Sequence, residues 1–305
     1  MVQTKVLPLT PEAIAEAARL IRRGLPVAVP TETVYGLAAD AADGAAVARI
    51  YEAKGRPAFN PLIVHVSDLA AAERIALFDD SARTLARRYW PGPLTLVLPL
   101  REDSRIASLA LAGLRTVAVR APAHPAIRAL LGAVGRPLAA PSANASGRIS
   151  PTRAEHVLAG LDGRIPLILD GGPSRHGLES TIVALTGGAP RLLRPGPIDL
   201  GLEVAHGGAI EGPGQLQSHY APSSPLRLDA LSAAPDEWLI GFGPVSGDSS
   251  LSESGDLVEA AANLFDRLHQ ADAQGRPRIA IAPIPREGLG AAINDRLRRA
   301  AAPRA

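Results

Sequence analysis

One short segment carries the most specific chemical signal in the sequence. Residues 54–62 read KGRPAFNPL and place Lys54, Arg56 and Asn60 in a turn stiffened by glycine and proline. Lysine supplies a compact ammonium and arginine a planar fork of donors, so the two are not interchangeable for binding phosphate. Only Lys5 and Lys54 are lysines among 32 basic residues, which indicates that the ammonium of Lys54 itself matters. The segment predicts a phosphate-binding loop, although cations also favour the C-terminus of a helix for simple dipole reasons.

A second segment is rich in small polar residues. Residues 137–152 read PLAAPSANASGRISPT and include Ser142 and Ser150 in a connection between a strand and a helix. Small side chains and free N–H groups ahead of a helix form a cradle for an anion. The segment has neither the GxxxxGK[ST] nor the GxGxxG pattern of the common nucleotide-binding loops.

Arg120 stands at the end of a predicted strand, and Arg194 stands near the end of the larger domain. In LRTVAVRAP (residues 114–122), alternation places Thr116, Ala118 and Arg120 on one face of a strand, so that Arg120 either points into a site or is solvated. In RLLRPGP (residues 191–197), Arg194 is one of two cations near the end of the larger domain.

Two further segments combine hydroxyl groups with glycine. PTETVYGLAAD (residues 30–40) contains Thr33 and is equally typical of a plain turn after a strand. Residues 169–185 contain His176, Glu179, Ser180 and Thr181. A hydrolase triad of Ser180, His176 and Glu179 is disfavoured, because sequence neighbours seldom adopt triad geometry and no GxSxG elbow is present.

The composition excludes several classes of site. There is no cysteine and no HxxxH pair, so disulfides, thiolate chemistry and the usual zinc sites are excluded. The pI of about 9.3 accompanies a net charge of only +2 and reflects arginine usage, so it does not indicate a nucleic-acid partner. Residues 1–210 carry a net charge of +5 and residues 211–305 carry −3, which makes the larger part the expected anion binder.

The elements that must position these residues alternate between helix and strand. Thr10, Pro11 and Gly24 are start and stop signals for a first helix. Apolar runs predict strands at residues 25–30, 62–66, 94–98, 116–120, 166–169 and 180–185. Helical periodicity is present at residues 43–53, 81–89, 125–131 and 152–161. This alternation predicts an α/β domain with a mixed sheet.

A second domain is predicted after a linker. Residues 207–225 crowd Gly, Pro, Ser and Gln without periodicity, as linkers do. Strands at 226–228, 238–241 and 279–282, with helices at 257–270 and 289–300, predict a small α/β domain in which residues 246–256 form a mobile surface loop. We therefore divide the chain into a domain at 1–205, a linker at 206–225 and a domain at 226–305. No run of about 18 apolar residues and no signal segment is present, so we expect a cytoplasmic protein.

Taken in order, the motifs resemble the Sua5/YciO/YrdC family. They are PTETVYGL, KGRPAFNPL with LIVHV, WPGPLTLVLP, TVAVRAP, PSANASGRISPT, DGG with GLESTIV, and LLRPGP. The linker PGQLQSHYAP and the closing GLGAAINDRLRRAA resemble the extension of the two-domain Sua5 form, which short YrdC-type proteins lack. The resemblance implies a YrdC-like mixed twisted sheet with flanking helices and a small, Rossmann-like C-terminal Sua5 domain.

The resemblance also implies an activity. Members of this family condense L-threonine, bicarbonate or CO2, and ATP into L-threonylcarbamoyladenylate and pyrophosphate. The product is passed to a tRNA threonylcarbamoyl transferase complex that modifies adenosine 37 of tRNA. Mg2+ accompanies the ATP, and its ligands cannot be identified in this sequence. No organic cofactor and no membrane are expected.

The family's site residues carry over to matching positions of this sequence. Those implied to contact L-threonine are Thr33, His65, Arg120, Ala140 and Ser180. Those implied to contact ATP are Lys54, Arg56, Asn60, Thr116, Ser142, Ser150, Arg194 and Tyr220. Lys54 and Arg56 are the predicted catalytic cations, and Tyr220 in the linker is predicted to reach back over the nucleotide as part of a lid.

Two readings without turnover remain open. One is an RNA-binding module, because the resemblance to YrdC-like domains implies a basic concave surface and the larger domain carries a net charge of +5. The other is a regulatory nucleotide-binding module that has lost catalysis. Direct binding of tRNA by either domain also stays open.

Overall fold

Two sheets organise the chain in the computed structural model, which describes residues 3–205, 211–213 and 219–303. The strands of the larger sheet are β1 (Lys5–Pro8), β2 (Val27–Val29), β3 (Gly36–Asp40), β4 (Ile63–His65), β5 (Leu94–Pro99), β6 (Thr116–Arg120), β7 (Leu138–Ala139), β8 (Leu167–Asp170), β9 (Thr181–Ala184) and β10 (Arg191–Arg194). Their order is β1-β8-β2-β3-β7-β4-β6-β5-β9-β10. Pairs such as β4 with β6 are parallel and pairs such as β5 with β6 are antiparallel, so the mixed sheet is confirmed.

Helices accompany this sheet. They are α1 (Pro11–Arg22), α2 (Gly44–Lys54), α3 (Leu69–Glu73), α4 (Asp80–Tyr89), α5 (Ser108–Leu111), α6 (Pro125–Val134) and α7 (Ala154–Leu161). The predicted start of α1 is confirmed, because Thr10 Oγ1 accepts from the N–H of Ala13 at 3.2 Å and Pro11 occupies the first turn. Gly55, with φ at 60°, ends α2 and directs the chain from Lys54 into the predicted phosphate loop.

Alternation along the strands separates the two faces of the large sheet. Val27 and Val29 belong to a core beside α1 and α6, whereas Ala28 between them joins the main core beside α2. Ile63 on β4 and Ala118 on β6 are register partners, as are His65 and Arg120. Because these two pairs lie two residues apart on each strand, they share one face. The expected face of Thr116, Ala118 and Arg120 therefore also carries His65.

The smaller sheet is parallel. Its strands are β11 (Leu226–Arg227), β12 (Glu237–Gly241), β13 (Ser249–Ser250) and β14 (Arg278–Ile281), in the order β11-β14-β12-β13, and its helices are α8 (Leu257–Ala273) and α9 (Leu289–Ala301). The predicted small α/β domain is confirmed. Within the described ranges, no helix combines the length and apolar character needed to cross a membrane.

Residues 246–256 lie in the connection between β12 and α8. They contain β13, and Leu251 and Ser252 are buried, whereas the other residues are exposed or half-buried. Asp256 caps α8 by accepting from the N–H of Glu259 at 2.7 Å. The segment is therefore largely a surface loop, and its predicted mobility stays a prediction.

One apolar cluster contains buried residues of both domains. Val34, Ile149 and Leu178 of the larger domain belong to the same buried cluster as Phe265 of α8 and Ile293 of α9. A methyl group added at Gly177 would lie 2.4 Å from the carbonyl oxygen of Ala261, so the backbone next to Leu178 touches α8 directly. The smaller domain therefore packs against the larger domain at Val34, Ile149 and Leu178.

Candidate functional site

A cavity on the face of β4 and β6 gathers most of the predicted site residues. Ten of them line it: Thr33, Arg56, Asn60, His65, Arg120, Ala140, Ser142, Ser180, Arg194 and Tyr220. Lys54, Thr116 and Ser150 are not among its lining residues. The sequence segments that supply the walls are far apart along the chain, and the sheet brings them together.

One end of the cavity is built around a buried ion pair. Arg120 Nη2 donates to Glu32 Oε1 at 2.5 Å, and Nη1 donates to Thr33 Oγ1 at 2.9 Å. Arg120 Nε donates to the carbonyl oxygen of Gly92 at 3.1 Å. Burial alone would raise the pKa of Glu32, but the charge and hydrogen bond of Arg120 lower it to about 2. The carboxylate is therefore ionised at neutral pH and fixes the orientation of the guanidinium.

A turn supports Thr33 in this end of the cavity. Thr31 Oγ1 accepts from the N–H of Thr33 at 3.1 Å, and its hydroxyl lies 2.8 Å from that of Thr33. The reading of residues 30–40 as a plain turn is therefore half right: a hydroxyl-closed turn precedes β3. Both hydroxyls also line the cavity.

His65 lies beside this ion pair as a neutral ring. Burial, together with the charge of Arg120, lowers its pKa to about 3. Its Nδ1 is buried and has no hydrogen-bond partner within the described part of the chain. Since a buried polar atom without a partner is costly, a ligand in the cavity that supplies this bond would be stabilised.

Two further arginines line the cavity. Arg194 Nε and Nη2 donate to the carbonyl oxygen and the Oγ of Ser180, both at 3.0 Å, and Thr95 Oγ1 lies 2.7 Å from the same Oγ. Arg56 donates from Nε and Nη2 to the carbonyl oxygens of Asn60 and Pro61 at 3.1 and 2.9 Å.

These two arginines have no carboxylate within ion-pair distance in the described ranges, although the charge of Glu179 acts on Arg194. Burial lowers the pKa of both Arg56 and Arg194 to about 10, so both stay protonated at neutral pH. Across residues 3–205, 211–213 and 219–303, neither forms an ion pair with a carboxylate. Buried cations without an acidic partner favour an anionic ligand.

Lys54 is placed behind the cavity wall. Its Nζ donates to the carbonyl oxygens of Ser142 and Asn144 at 2.5 and 2.6 Å, and its side chain is buried. Burial, with the nearby charge of Arg56, lowers the pKa of Lys54 well below its usual value. In this arrangement the ammonium holds the loop that presents Ser142, and its predicted catalytic role stays a prediction.

Thr116 and Ser150 do not line the cavity, and their hydroxyl groups form hydrogen bonds with other residues. Thr116 Oγ1 donates to the carbonyl oxygen of Glu211 at 3.3 Å. Ser150 Oγ donates to Glu179 Oε1. Their contacts with ATP stay predictions.

Glu32, Glu179 and His219 line or border the cavity and were not among the predicted contacts. Glu32 lies within PTETVYGL, and only its pairing with Arg120 reveals its place. Glu179 was considered for a triad, but its oxygens accept from Ser150 and Arg296 instead. No hydrogen bond joins the His176 ring to Ser180 or Glu179 in the described ranges, which agrees with the rejection of that triad.

Tyr220 lines the cavity and lies next to the smaller domain. Its ring is buried and lies 5.5 Å from that of Phe265, and the guanidiniums of Arg296 and Arg299 lie over it at 5.4 and 4.9 Å. Residues 206–210 and 214–218 of the predicted linker lie outside the described residues.

Comparison with known proteins gives two family matches. Residues 19–196 match the Sua5/YciO/YrdC model, described as "Telomere recombination", and residues 198–302 match a model described as "Threonylcarbamoyl-AMP synthase, C-terminal domain".

Individual relatives extend over nearly the whole chain. A protein of Bacillus subtilis named threonylcarbamoyl-AMP synthase is 42% identical, over 94% of this chain and 92% of its own. A protein of Pyrococcus abyssi with the same name is 42% identical, over 93% of this chain and 92% of its own. The crystal structure of P. abyssi Sua5 complexed with L-threonine superposes with a TM-score of 0.88 at 39% identity, covering 99% of this chain and 97% of that one.

Proposed function

Because the chain belongs to the Sua5/YciO/YrdC family, we propose that it is an L-threonylcarbamoyladenylate synthase. Its substrates would be L-threonine, ATP, and bicarbonate or CO2, and its products L-threonylcarbamoyladenylate and pyrophosphate. The relatives' names and the L-threonine bound to the P. abyssi structure support this assignment.

The observation that carries the proposal is that one cavity is lined by three arginines with different partners. Arg120 is already oriented by Glu32, whereas Arg56 and Arg194 have no ion-pair partner in the described ranges. Arg120 suits a substrate with one carboxylate, because each of its terminal nitrogens has a further N–H beyond the bonds to Thr33 and Glu32. Arg56 and Arg194 suit a polyphosphate.

The proposed ligand contacts are those that the family's motifs imply. L-threonine would be held by Thr33, His65, Arg120, Ala140 and Ser180, all of which line the cavity. ATP would be held by Arg56, Asn60, Ser142, Arg194 and Tyr220, which also line it, with Lys54, Thr116 and Ser150 supporting the wall.

The chemistry needs little from the protein beyond placement and charge. The amine of threonine attacks the carbon of CO2 and loses a proton, giving a carbamate. A carbamate oxygen then attacks the α-phosphorus of ATP, and the bond to the pyrophosphate breaks, so that pyrophosphate leaves with the electron pair. Holding the two reactants in line lowers the entropic barrier, and Arg56 and Arg194 neutralise the charge that develops on the leaving group.

Magnesium would enter as the salt of ATP. No group of three His, Cys, Asp or Glu side chains suited to a metal occurs in the described ranges. The two carboxylates nearest the cavity, Glu32 and Glu179, are each held by an arginine. Since Mg2+ commonly binds substrate phosphates with few protein ligands, these residues fit a metal carried by the nucleotide.

The wider role that we propose is the one implied by the resemblance to the family. The product would be passed to a tRNA threonylcarbamoyl transferase complex that modifies adenosine 37 of tRNA, in the cytoplasm. We keep the division into a catalytic domain at 1–205, a linker or lid at 206–225 and a Sua5 domain at 226–305.

One assay tests the function. Pyrophosphate release from ATP is measured with L-threonine and bicarbonate together and with each omitted, and the adenylate is identified by mass. We expect release only when both are present. ATP binding without release would favour a regulatory module, and salt-sensitive RNA binding without release would favour an RNA-binding module.

A further inference from the structure

Arg296 of the smaller domain reaches into the larger one. It projects from α9, and its side chain has no exposed surface. Its Nε donates to Glu179 Oε2 at 2.7 Å, and Nη1 donates to the carbonyl oxygen of Pro195 at 2.9 Å and to Asp295 Oδ2 at 2.8 Å. A fully buried arginine needs this many acceptors, because each unpaired donor would be desolvated without compensation.

Both partners of Arg296 in the larger domain adjoin cavity residues. Glu179 precedes Ser180, and Pro195 follows Arg194. The guanidinium of Arg296 therefore binds the residues next to Ser180 and Arg194. Ser180 and Arg194 are in turn hydrogen-bonded to each other by two bonds of 3.0 Å.

Glu179 transmits the contact further. Its Oε2 accepts from Arg296, and its Oε1 accepts from Ser150 Oγ in the polar loop of residues 137–152. Glu179 is buried, and although burial raises its pKa, the charges of Arg296 and Arg194 lower it overall. The carboxylate therefore stays ionised between the smaller domain and the polar loop.

Arg296 also contacts Tyr220, which lines the cavity. The carbon of its guanidinium lies 5.4 Å from the centre of the Tyr220 ring. A guanidinium over an aromatic face is attracted by the ring's quadrupole. Removing Arg296 would thus release Glu179, Pro195 and Tyr220 together.

We propose that Arg296 is a positioning residue for the reaction, through which the smaller domain sets the places of Ser180, Arg194 and Tyr220 around the nucleotide. This inference rests on the proposed function. It assigns the smaller domain a part in building the cavity, although none of its elements from β11 onward lines it.

The test compares Arg296→Met and Arg296→Lys with a matched interface control. Asp266 of α8 accepts from Arg153 of the larger domain at 2.6 Å, and neither residue lines the cavity. Asp266→Asn therefore weakens the same domain interface away from the site. For each protein, kcat and the KM for ATP are measured from pyrophosphate release, ATP binding is measured by calorimetry, and folding is followed by thermal melting.

We expect Arg296→Met to raise the KM for ATP and the Kd for ATP at least roughly tenfold, a change of about 1.4 kcal/mol. Arg296→Lys should recover part of this loss, because it keeps a positive charge beside Glu179. Asp266→Asn should lower the melting temperature and leave both constants within about twofold of wild type. If Arg296→Met does not fold, the same comparison applies to Arg296→Lys.

The inference is overturned if the substituted, folded protein keeps wild-type KM and Kd for ATP. It is also overturned if Asp266→Asn raises both constants as much as the Arg296 variants do, since interface stability would then explain the effect. A wild-type protein that binds ATP and releases no pyrophosphate would instead contradict the proposed function. Calorimetry would still report the effect of Arg296 on ATP binding in that case.

Discussion

The guanidinium of Arg120 donates to the carboxylate of Glu32 across 2.5 Å, and both side chains are buried. Glu32 and Arg120 are 88 residues apart in the sequence. The pair joins the hydroxyl-closed turn before β3 to the end of β6. It fixes the orientation of the Arg120 guanidinium in the cavity.

Glu32→Gln is predicted to lose a pH-dependent part of the protein's stability. The pKa of Glu32 falls from 4.5 to about 2 on folding, so its contribution is present above pH ~4.5 and is lost as the pH falls toward ~2. The shift corresponds to about 3 kcal/mol at neutral pH. Denaturant unfolding of both proteins at pH 7 and pH 3 measures it: the wild type should be more stable at pH 7, by a margin that shrinks on acidification. An equal margin at both pH values would contradict the assignment.

Lys54→Ala is predicted to lower threonine-dependent pyrophosphate release by roughly tenfold or more. The change leaves the carbonyl oxygens of Ser142 and Asn144 without their donor, and an unsatisfied buried acceptor costs about 1–3 kcal/mol. Steady-state kinetics and thermal melting report the two effects. Lys5→Ala is the matched control, because Lys5 is exposed on β1 and should change neither. Unchanged turnover in Lys54→Ala would remove this lysine from the mechanism.

Arg194→Met is predicted to weaken ATP binding strongly while changing the free energy of unfolding little. The substitution removes two hydrogen bonds to Ser180 together with a buried charge that has no carboxylate partner in the described ranges, so the free energy of unfolding should change by less than about 1.5 kcal/mol. ATP binding should weaken roughly a hundredfold, because a charge-assisted contact is lost. Calorimetry and denaturant unfolding test both statements.

The control for Arg194 lies on the same strand. Arg191 at the other end of β10 is paired with Glu211 and does not line the cavity, so Arg191→Met should leave ATP binding unchanged. Tight ATP binding by Arg194→Met would show that this guanidinium does not face the phosphates.

The linker is predicted to close over ATP as a lid. Tyr220 is buried against the cavity, which brings the end of the linker to the proposed nucleotide site. Limited proteolysis within residues 206–218 should therefore slow when ATP is added and should not slow with L-threonine alone. Cleavage that ignores the nucleotide, together with full activity after deletion of residues 206–305, would contradict the lid.

Sequence patterns predicted the elements whose signals are local. Thr10 and Pro11 mark the start of α1, and the apolar run at residues 94–98 becomes β5. Strands without such a signal were missed: β7 has two residues, and β3 follows directly on a turn. Their strand character depends on partners, since β7 pairs with both β3 and β4.

The site was predictable where a motif carries the residue, as at Arg56 and Arg120. Residues that act through a distant partner were not. Glu179 and Arg296 are 117 residues apart, and nothing local distinguishes Arg296 from the other arginines of α9. Lys54 stood out by its rarity, yet only the structure shows that its ammonium meets two carbonyl oxygens rather than the cavity.

The apolar cluster that spans both domains has a consequence for how the molecule unfolds. Val34, Ile149 and Leu178 are packed with Phe265 and Ile293, so the smaller domain cannot melt without exposing apolar surface next to the cavity. Because exposing that surface is unfavourable, local opening of one domain should promote opening of the other. Heating should then produce one cooperative transition in which calorimetric and van't Hoff enthalpies agree, as for a single folding unit.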